Sequence, residues 1–198
     1  MSGAPPARAS LRPVLAALVL AALLYLGFRG AGPAPALGPF LNPATGVWSL
    51  ARSAEPSARG SASIPGLGAP VRVLFDDRGV PHIFAATEAD AWRAQGYVIA
   101  RDRLFQMELQ TRAASGTLSE LLGDRTVGAD RAARRRAFPW AAERAMAQLD
   151  SSSLIARAAR AYADGVNAWI DQVGPADLPL EYRLLGKRPV RWQPRRRR

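Results

Sequence analysis

The chain has 198 residues, of which 48% are hydrophobic and 22% are charged, so it is long enough to form one domain with an ordinary globular core. The net charge of +11 does not indicate nucleic-acid binding, because most of the excess lies in residues 1–68 and Arg195–Arg198 and no groove-reading motif accompanies it. The absence of cysteine and the presence of one histidine exclude disulfides, thiolate nucleophiles and sites that need two histidines.

An uncharged apolar run, VLAALVLAALLYLGF, occupies Val14–Phe28 and follows Arg8 and Arg12. A basic flank before an apolar stretch is typical of an export signal, and 15 residues is long for a signal peptide and short for a membrane span. The APA pattern at Ala34–Ala36 offers a cleavage site, and an uncleaved anchor is the alternative. Residues 1–30 are therefore assigned to a signal peptide or membrane anchor. The rest of the chain is expected to be exported, either periplasmic or anchored and facing outside.

Residues 31–68 are rich in glycine, proline, serine and alanine and show little periodicity. This composition predicts a flexible tether, with ordered structure beginning near Ala69. Apolar residues then alternate at Val71, Val73 and Phe75, an acid-rich turn follows at Asp76–Gly79, and a second apolar stretch begins at Val80. Alternation with a turn that ends in glycine predicts a β-hairpin. Two strands alone are marginally stable, so the sheet should need further strands.

Four helices are predicted after the hairpin. A capping box at Thr87–Asp90 should begin a helix that runs to about Ser115. Thr117–Glu120 repeats the capping pattern before a short second helix. The third is predicted at Phe138–Leu149, and the fourth follows the serines at Ser151–Ser153 and ends at Gly174. The apolar faces of these helices need a partner surface.

An Arg-Asp-Arg triplet, Arg101–Arg103, lies inside the first of these helices. Neighbouring side chains on a helix point about 100° apart, so Arg101 and Asp102 are not expected to pair, and Asp102 should reach Gln106 or a donor on another segment. A general acid or base would need a second titrating group and a cleft, which this motif does not supply. We interpret Asp102 as part of a structural ion network.

His82 and the run Arg134–Arg136 are two further candidates for a chemical role. His82 would serve a serine nucleophile as a base, but no G-x-S-x-G motif is present, and we interpret His82 as structural. Arg134–Arg136 is interpreted as a solvated helix face, with binding of an acidic ligand as the alternative. No catalytic, cofactor-binding or metal-binding residue is assigned.

Five long motifs, in order and near the expected spacing, resemble the penicillin acylase family of N-terminal-nucleophile amidohydrolases and cover about residues 69–194. They are DDRGVPHIFA (Asp76–Ala85), GYVIARDRLFQME (Gly96–Glu108), RAASGTLSELLG (Arg112–Gly123), AYADGVNAWID (Ala161–Asp171) and LPLEYRLLGKRPVRWQP (Leu178–Pro194).

The resemblance implies an α+β fold class, with this chain a fragment of a four-layer αββα N-terminal-nucleophile hydrolase fold, in which a β-hairpin precedes several helices. Family members are exported precursors that cut themselves into an α chain, a spacer and a β chain. The β chain begins with the serine nucleophile, whose own α-amine acts as the base. Residues 69–194 would be part of the α chain, and Arg101–Arg103 would lie on a helix that supports the site. No cofactor is expected in this chain. Calcium is expected in the complete family protein, through a glutamate beyond this region.

The implied function is the N-terminal portion of an amidohydrolase precursor acting on an acyl amide, either a β-lactam side chain or an acyl-homoserine-lactone-like amide. The expected partners are the remainder of the α chain, the β chain and a small acyl-amide substrate, with no nucleic acid and with membrane contact only through the N-terminal segment. Gly60-Ser61 lacks the family's following asparagine and is rejected as a nucleophile, so the chain should be inactive alone. Arg195–Arg198 is either a basic tail or the mark of a frameshift or premature end. The alternative function is a membrane-tethered, non-catalytic binding module.

Overall fold

The computed structural model describes residues 11–29, 37–43, 46–48, 60–175 and 177–193. The chain divides into two compact units, residues 1–53 and 54–198. The cleavage pattern at Ala34–Ala36, residues 49–59 of the predicted tether and the arginines at Arg195–Arg198 lie outside the described residues. The domain boundaries given by the sequence stay predictions.

The first unit contains helix α1 (Leu11–Arg29) and the short helix α2 (Gly38–Leu41), which lies within the predicted tether. Helix α1 has 19 residues, a mean hydropathy of 2.1 and no buried residue. It is long and apolar enough to cross a membrane, and a signal sequence near the N-terminus would have the same character.

The predicted hairpin is confirmed. Strands β1 (Arg72–Phe75) and β2 (Pro81–Phe84) pair in antiparallel register from end to end. The Asp76 carboxylate closes the turn by accepting the Val80 amide at 2.8 Å and the Arg78 amide at 3.0 Å. The Val80 bond is the largest influence holding the pKa of Asp76 below its usual value. Gly79, at φ +75°, supplies the left-handed residue that this turn requires.

All the other regular elements described in the second unit are helices, so the described architecture is α+β. The longer predicted helices are confirmed, whereas the six-residue helix after Pro179 was not predicted because it is too short to show a helical period. The helices are α3 (Glu88–Ser115), α4 (Ser119–Leu122), a 3₁₀ turn (Asp124–Thr126), α5 (Val127–Arg135), α6 (Phe138–Gln148), α7 (Leu154–Gln172) and α8 (Leu180–Leu185).

Helix α3 begins and ends at the residues that its sequence predicts, but it is bent in the middle. Thr87 Oγ1 accepts the Asp90 amide at 3.1 Å, and Gly116 ends the helix at φ +69°. The bend lies at Arg103, whose φ of −143° and ψ of 22° are not helical. Because the bend changes the phase of the helix, Leu104 is buried behind it at 1% exposure.

Helices α3 and α7 cross at two glycines and enclose the core. Gly96 lies against the Tyr162 backbone and Gly165 lies against the Arg93 backbone, so the two helix backbones are in direct contact. Behind the crossing, a cluster of buried side chains joins α3, α7 and α8. Its members are Ala100, Leu104, Val166, Trp169 and Tyr182.

The prediction of a second capping box at Thr117–Glu120 is wrong. Helix α4 begins after Leu118 without a local side-chain cap. The buried carboxylate of Asp130, on α5, instead accepts the Leu118 and Ser119 amides at 2.8 Å and the Ser119 hydroxyl at 2.5 Å. The carboxylate of another helix satisfies two amides at once, one at each oxygen.

Because of this cap, the stability of the fold should depend on pH. Burial alone would raise the pKa of Asp130, but the bonds from Ser119 and Leu118 outweigh burial and lower it. Because the pKa of Asp130 is lower in the folded state than in the unfolded state, its ionised carboxylate stabilises the fold at pH values above the unfolded-state pKa of about 3.9. This stabilisation is lost as the pH falls through the lower, folded-state pKa. We expect the melting temperature to fall between pH 5 and pH 3, and to fall less in Asp130→Asn. Thermal unfolding by circular dichroism measures this, with Asp77→Asn at the exposed turn as control. An equal fall in wild type and Asp130→Asn would contradict the assignment.

Candidate functional site

A cleft of about 490 Å³ opens where the hairpin turn faces the bend of α3. The turn contributes Arg78–Pro81, the bend contributes Asp102–Gln106, and α8 contributes Glu181. Two arginines and two carboxylates therefore line one concave surface. Of the residues singled out in the sequence, the cleft contains Asp102 and Arg103 but neither His82 nor Ser61.

The expectation that Arg101 and Asp102 do not pair is wrong. Arg101 Nε donates to Asp102 Oδ1 at 2.7 Å, and Arg101 Nη2 donates to Asp102 Oδ2 at 3.3 Å. It is Arg103, and not Asp102, that reaches Gln106, at 3.2 Å. The ideal angle between neighbouring side chains does not apply here, because the helix bends immediately after Asp102 and the long guanidinium folds back over the carboxylate.

Arg101 also joins α3 to the hairpin. Its guanidinium lies over the ring of Phe75 on β1, 5.0 Å from the centroid. One arginine therefore contacts the carboxylate beside the bend and the end of a strand. This geometry supports a structural ion network, and the side chains of Arg101 and Asp102 are 44% and 40% exposed.

Asp102→Ala should cost little stability. The pair is nearly half exposed, so we expect the free energy of unfolding to change by no more than about 1 kcal/mol. Arg101→Ala should cost more, because it also removes the contact with Phe75. Urea unfolding of both variants measures the difference. An equal loss in the two variants would contradict the contribution of the contact with Phe75.

A buried polar network lies behind the cleft and ties α3 to α8. The Tyr182 hydroxyl donates to Glu108 Oε2 at 2.5 Å, and Arg112 Nε donates to Glu108 Oε1 at 2.7 Å. Arg112 also reaches Glu120 of α4 at 2.9 Å. Tyr182 is fully buried, and burial followed by the bond to Glu108 raises its pKa well above the usual value. The sequence did not reveal this network, because its members lie as many as 74 residues apart.

His82 and Arg134 have structural contacts. His82 Nε2 lies 3.5 Å from Asp76 Oδ2, and its side chain is 55% exposed on the hairpin. Arg134–Arg136 are exposed, as the interpretation of a solvated face expects, and Arg134 Nε also donates to the Gly116 carbonyl at 2.7 Å at the end of α3. Among the described residues, no group of three or more His, Cys, Asp and Glu side chains is arranged to hold a metal ion.

An apolar groove of about 710 Å³ lies between the N-terminal halves of α3 and α7, which we call the α3–α7 groove. Trp92 forms one wall, and Leu154, Ile155 and Tyr162 form the other. Trp92 is 41% exposed and Ile155 is 68% exposed. The apolar stripe predicted along α7 is therefore buried at Val166 and Trp169 but exposed at its beginning.

Comparison with known sequences identifies related proteins. The family described as penicillin amidase matches residues 70–196. The penicillin acylase 2 proenzyme of Pseudomonas sp. (strain SE83) is 48% identical over 146 residues, which are 72% of this chain and 18% of that protein. Penicillin G acylase of Escherichia coli is 36% identical over 150 residues, 74% of this chain and 16% of that protein. The acyl-homoserine lactone acylase QuiP of Pseudomonas aeruginosa is 34% identical over 139 residues, 70% of this chain and 16% of that protein.

A solved structure is similar as well. The thermostable penicillin G acylase from Alcaligenes faecalis superposes with a TM-score of 0.57 at 35% identity, covering 63% of this chain and 66% of that chain. The chain spans less than a fifth of the length of the curated relatives named above.

Proposed function

Because this chain belongs to the penicillin amidase family, we propose that it is the N-terminal portion of an exported precursor of an amidohydrolase that cleaves an acyl amide bond. The family match over residues 70–196 carries this proposal. Relatives named as penicillin acylases and as acyl-homoserine lactone acylases support two substrate classes, the side-chain amide of a β-lactam and the acyl amide of a homoserine lactone.

In the proposed mechanism this chain supplies scaffold. The nucleophile is a serine that begins the β chain of the same precursor, with its α-amine as base and hydrogen-bond donors at the developing oxyanion. The bend of α3, held by Arg101 and by the Glu108 network, sets one wall around that centre. The strands β1 and β2 contribute to a larger sheet of a four-layer fold, whose other strands come from the remainder of the precursor.

The α3–α7 groove is proposed to pack against that remainder. An apolar surface that includes Trp92, Leu154 and Ile155 costs free energy in water, and a partner chain would remove it from solvent. Relatives that extend far beyond the matched segment support such a partner. Calcium in the complete protein stays an expectation. The described residues offer it no cluster of ligands, and no step is assigned to it.

A chimera tests the proposed function. Residues 70–193 of this chain would replace the matching segment of the penicillin acylase 2 proenzyme, the relative at 48% identity. We expect the chimera to be cut into two chains and to release the acyl group from an amide substrate of the unsubstituted relative. A soluble, folded chimera that is neither cut nor active would contradict the proposal and favour a membrane-tethered binding module.

Export is a separate prediction, motivated by the apolar run Val14–Phe28 of helix α1, which follows the basic residues Arg8 and Arg12. A reporter that is active only outside the cytoplasm, fused after residue 70, should be active. Deletion of residues 11–29 should abolish that activity, because the apolar segment is what the export machinery recognises. A fusion that remains in the cytoplasm with α1 intact would show that the helix is not a targeting segment.

A further inference from the structure

The side chain of Asn167 binds both the backbone N–H and the backbone C=O of one residue, Trp192, which lies 25 residues further along the chain. Its Nδ2 donates to the Trp192 carbonyl at 2.7 Å, and its Oδ1 accepts the Trp192 amide at 2.7 Å. Asn167 lies on α7 and is only 8% exposed. A carboxamide has the same donor and acceptor as a peptide group, so this side chain takes the place of a neighbouring strand.

The segment that Asn167 holds has no regular secondary structure of its own. Helix α8 ends at Leu185 and is capped by Gly186, at φ +60°, and residues 187–193 follow as neither helix nor strand. Within the described residues, none of the backbone hydrogen bonds found outside helices and strands involves residues 188–193. The contacts that hold this segment are therefore made by side chains.

Two further contacts accompany the Asn167 bonds. The Trp192 side chain packs against the buried cluster between α3, α7 and α8. The neighbouring Arg191 pairs with Asp171, one turn along α7 from Asn167, at 2.5 Å. That ion pair is more than half exposed at Arg191 and half exposed at Asp171, so it contributes little. The buried two-bond contact at Asn167 is the one that fixes both the position and the direction of the backbone.

We propose that Asn167 is a positioning residue. It fixes the position and direction of the backbone at the point where the chain passes from the helical core to the rest of the precursor. The family match continues through Trp192 to residue 196, and the matched segment is 18% of the length of the penicillin acylase 2 proenzyme. A residue held at both its N–H and its C=O can neither slide along the helix nor turn over, so the backbone at Trp192 has a defined position and direction. The consequence for maturation rests on the proposed function, whereas the contact itself does not.

Amide hydrogen exchange in the full 198-residue chain tests the contact. In Asn167→Ala, the Trp192 amide should exchange about tenfold faster or more, because both buried bonds are lost. Asp171→Asn is the matched control. It removes the neighbouring ion pair and should change the exchange rate by no more than about twofold. Equal rates in Asn167→Ala and Asp171→Asn would overturn the proposal.

Asn167→Asp separates the hydrogen bonds from the shape of the side chain. An ionised carboxylate can still accept the Trp192 amide but presents a second acceptor to the Trp192 carbonyl, so Trp192 should exchange faster than in wild type at neutral pH. Below a pH of about 4, the protonated carboxyl donates again, and protection should return to near the wild-type value measured at the same pH. Comparison at matched pH also removes any effect of Asp171. Wild-type protection of the Asp variant at both pH values would show that the donor does not matter.

Maturation is tested in the chimera. Asn167→Ala should reduce the fraction of chimera cut into two chains by about tenfold or more, while Asp171→Asn matures normally and both keep their helical circular dichroism. Full maturation of the Asn167→Ala chimera would overturn the positioning role. If the unsubstituted chimera does not mature, the proposed function fails, and the exchange rates still decide whether Asn167 holds the segment.

Discussion

Gly165→Ala is expected to prevent α3 and α7 from packing, with the largest loss of stability of any substitution considered. A Cβ at residue 165 would lie 1.9 Å from the Arg93 carbonyl oxygen, 2.8 Å from its carbonyl carbon and 2.9 Å from the Tyr97 nitrogen. All three atoms belong to backbone, so no side-chain rotation relieves the overlap and the helices must separate. We expect a cost of about 3 kcal/mol or more, because overpacking in a rigid interior is expensive.

Gly96→Ala, on the other helix of the crossing, should destabilise the chain in the same way. A Cβ at Gly96 would lie 2.1 Å from the Tyr162 carbonyl oxygen. Gly128→Ala is the matched control. It lies on α5 with no atom within 4 Å of the added methyl group, and there alanine should stabilise the helix by up to about 1 kcal/mol.

Urea unfolding of the full chain, followed by circular dichroism, compares the three variants. The expected order of stability is Gly128→Ala first, wild type near it, and the two crossing variants far below. Gly165→Ala with wild-type stability would show that α3 and α7 do not approach as closely as described.

The second large effect is the expected absence of amide hydrolysis by this chain alone. The proposed mechanism needs a serine hydroxyl beside its own free α-amine, and that residue is proposed to belong to the β chain. Loss of the nucleophile lowers the rate of hydrolysis by several orders of magnitude, whatever binding is retained. The exposed α3–α7 groove should also cause the isolated chain to self-associate.

Both parts of this prediction can be measured on one preparation. The purified 198-residue chain is assayed with chromogenic phenylacetyl and long-chain acyl amides, and its mass is followed by light scattering. Ile155→Glu in the groove should reduce association, whereas Ala147→Glu on the exposed side of α6 should not. Turnover above the buffer rate that persists through further purification would contradict the proposed division of the active site between chains.

Local signals predicted the parts of the fold that depend on neighbours in sequence. Thr87 caps α3 and Ser153 caps α7 as expected, since a cap uses an oxygen within three residues of the amide that it binds. The turn at Asp76–Gly79 was predictable for the same reason. The cap of α4 was not, because Asp130 reaches its amides from 11 and 12 residues away.

The candidate site was less predictable than the fold. Arginine at position 103 does not break a helix by propensity, so the bend of α3 gave no sequence signal. The pairing of Arg101 with Asp102 lies beside this bend, and the contact of Arg101 with Phe75 depends on where the hairpin packs. The roles of Glu108 and Asn167 likewise appeared only once their partners, Tyr182 and Trp192, were placed beside them.

The sequence by itself determined the hairpin, the longer helices and the resemblance to the family, because turns, caps, apolar periods and ordered motifs are properties of consecutive residues. The tertiary structure alone decided where α3 bends, which carboxylates are buried and which apolar face remains open. Those outcomes depend on contacts between residues as far apart in sequence as Glu108 and Tyr182. They also depend on the close approach of two helix backbones at Gly96 and Gly165, which the sequence of either helix alone does not indicate.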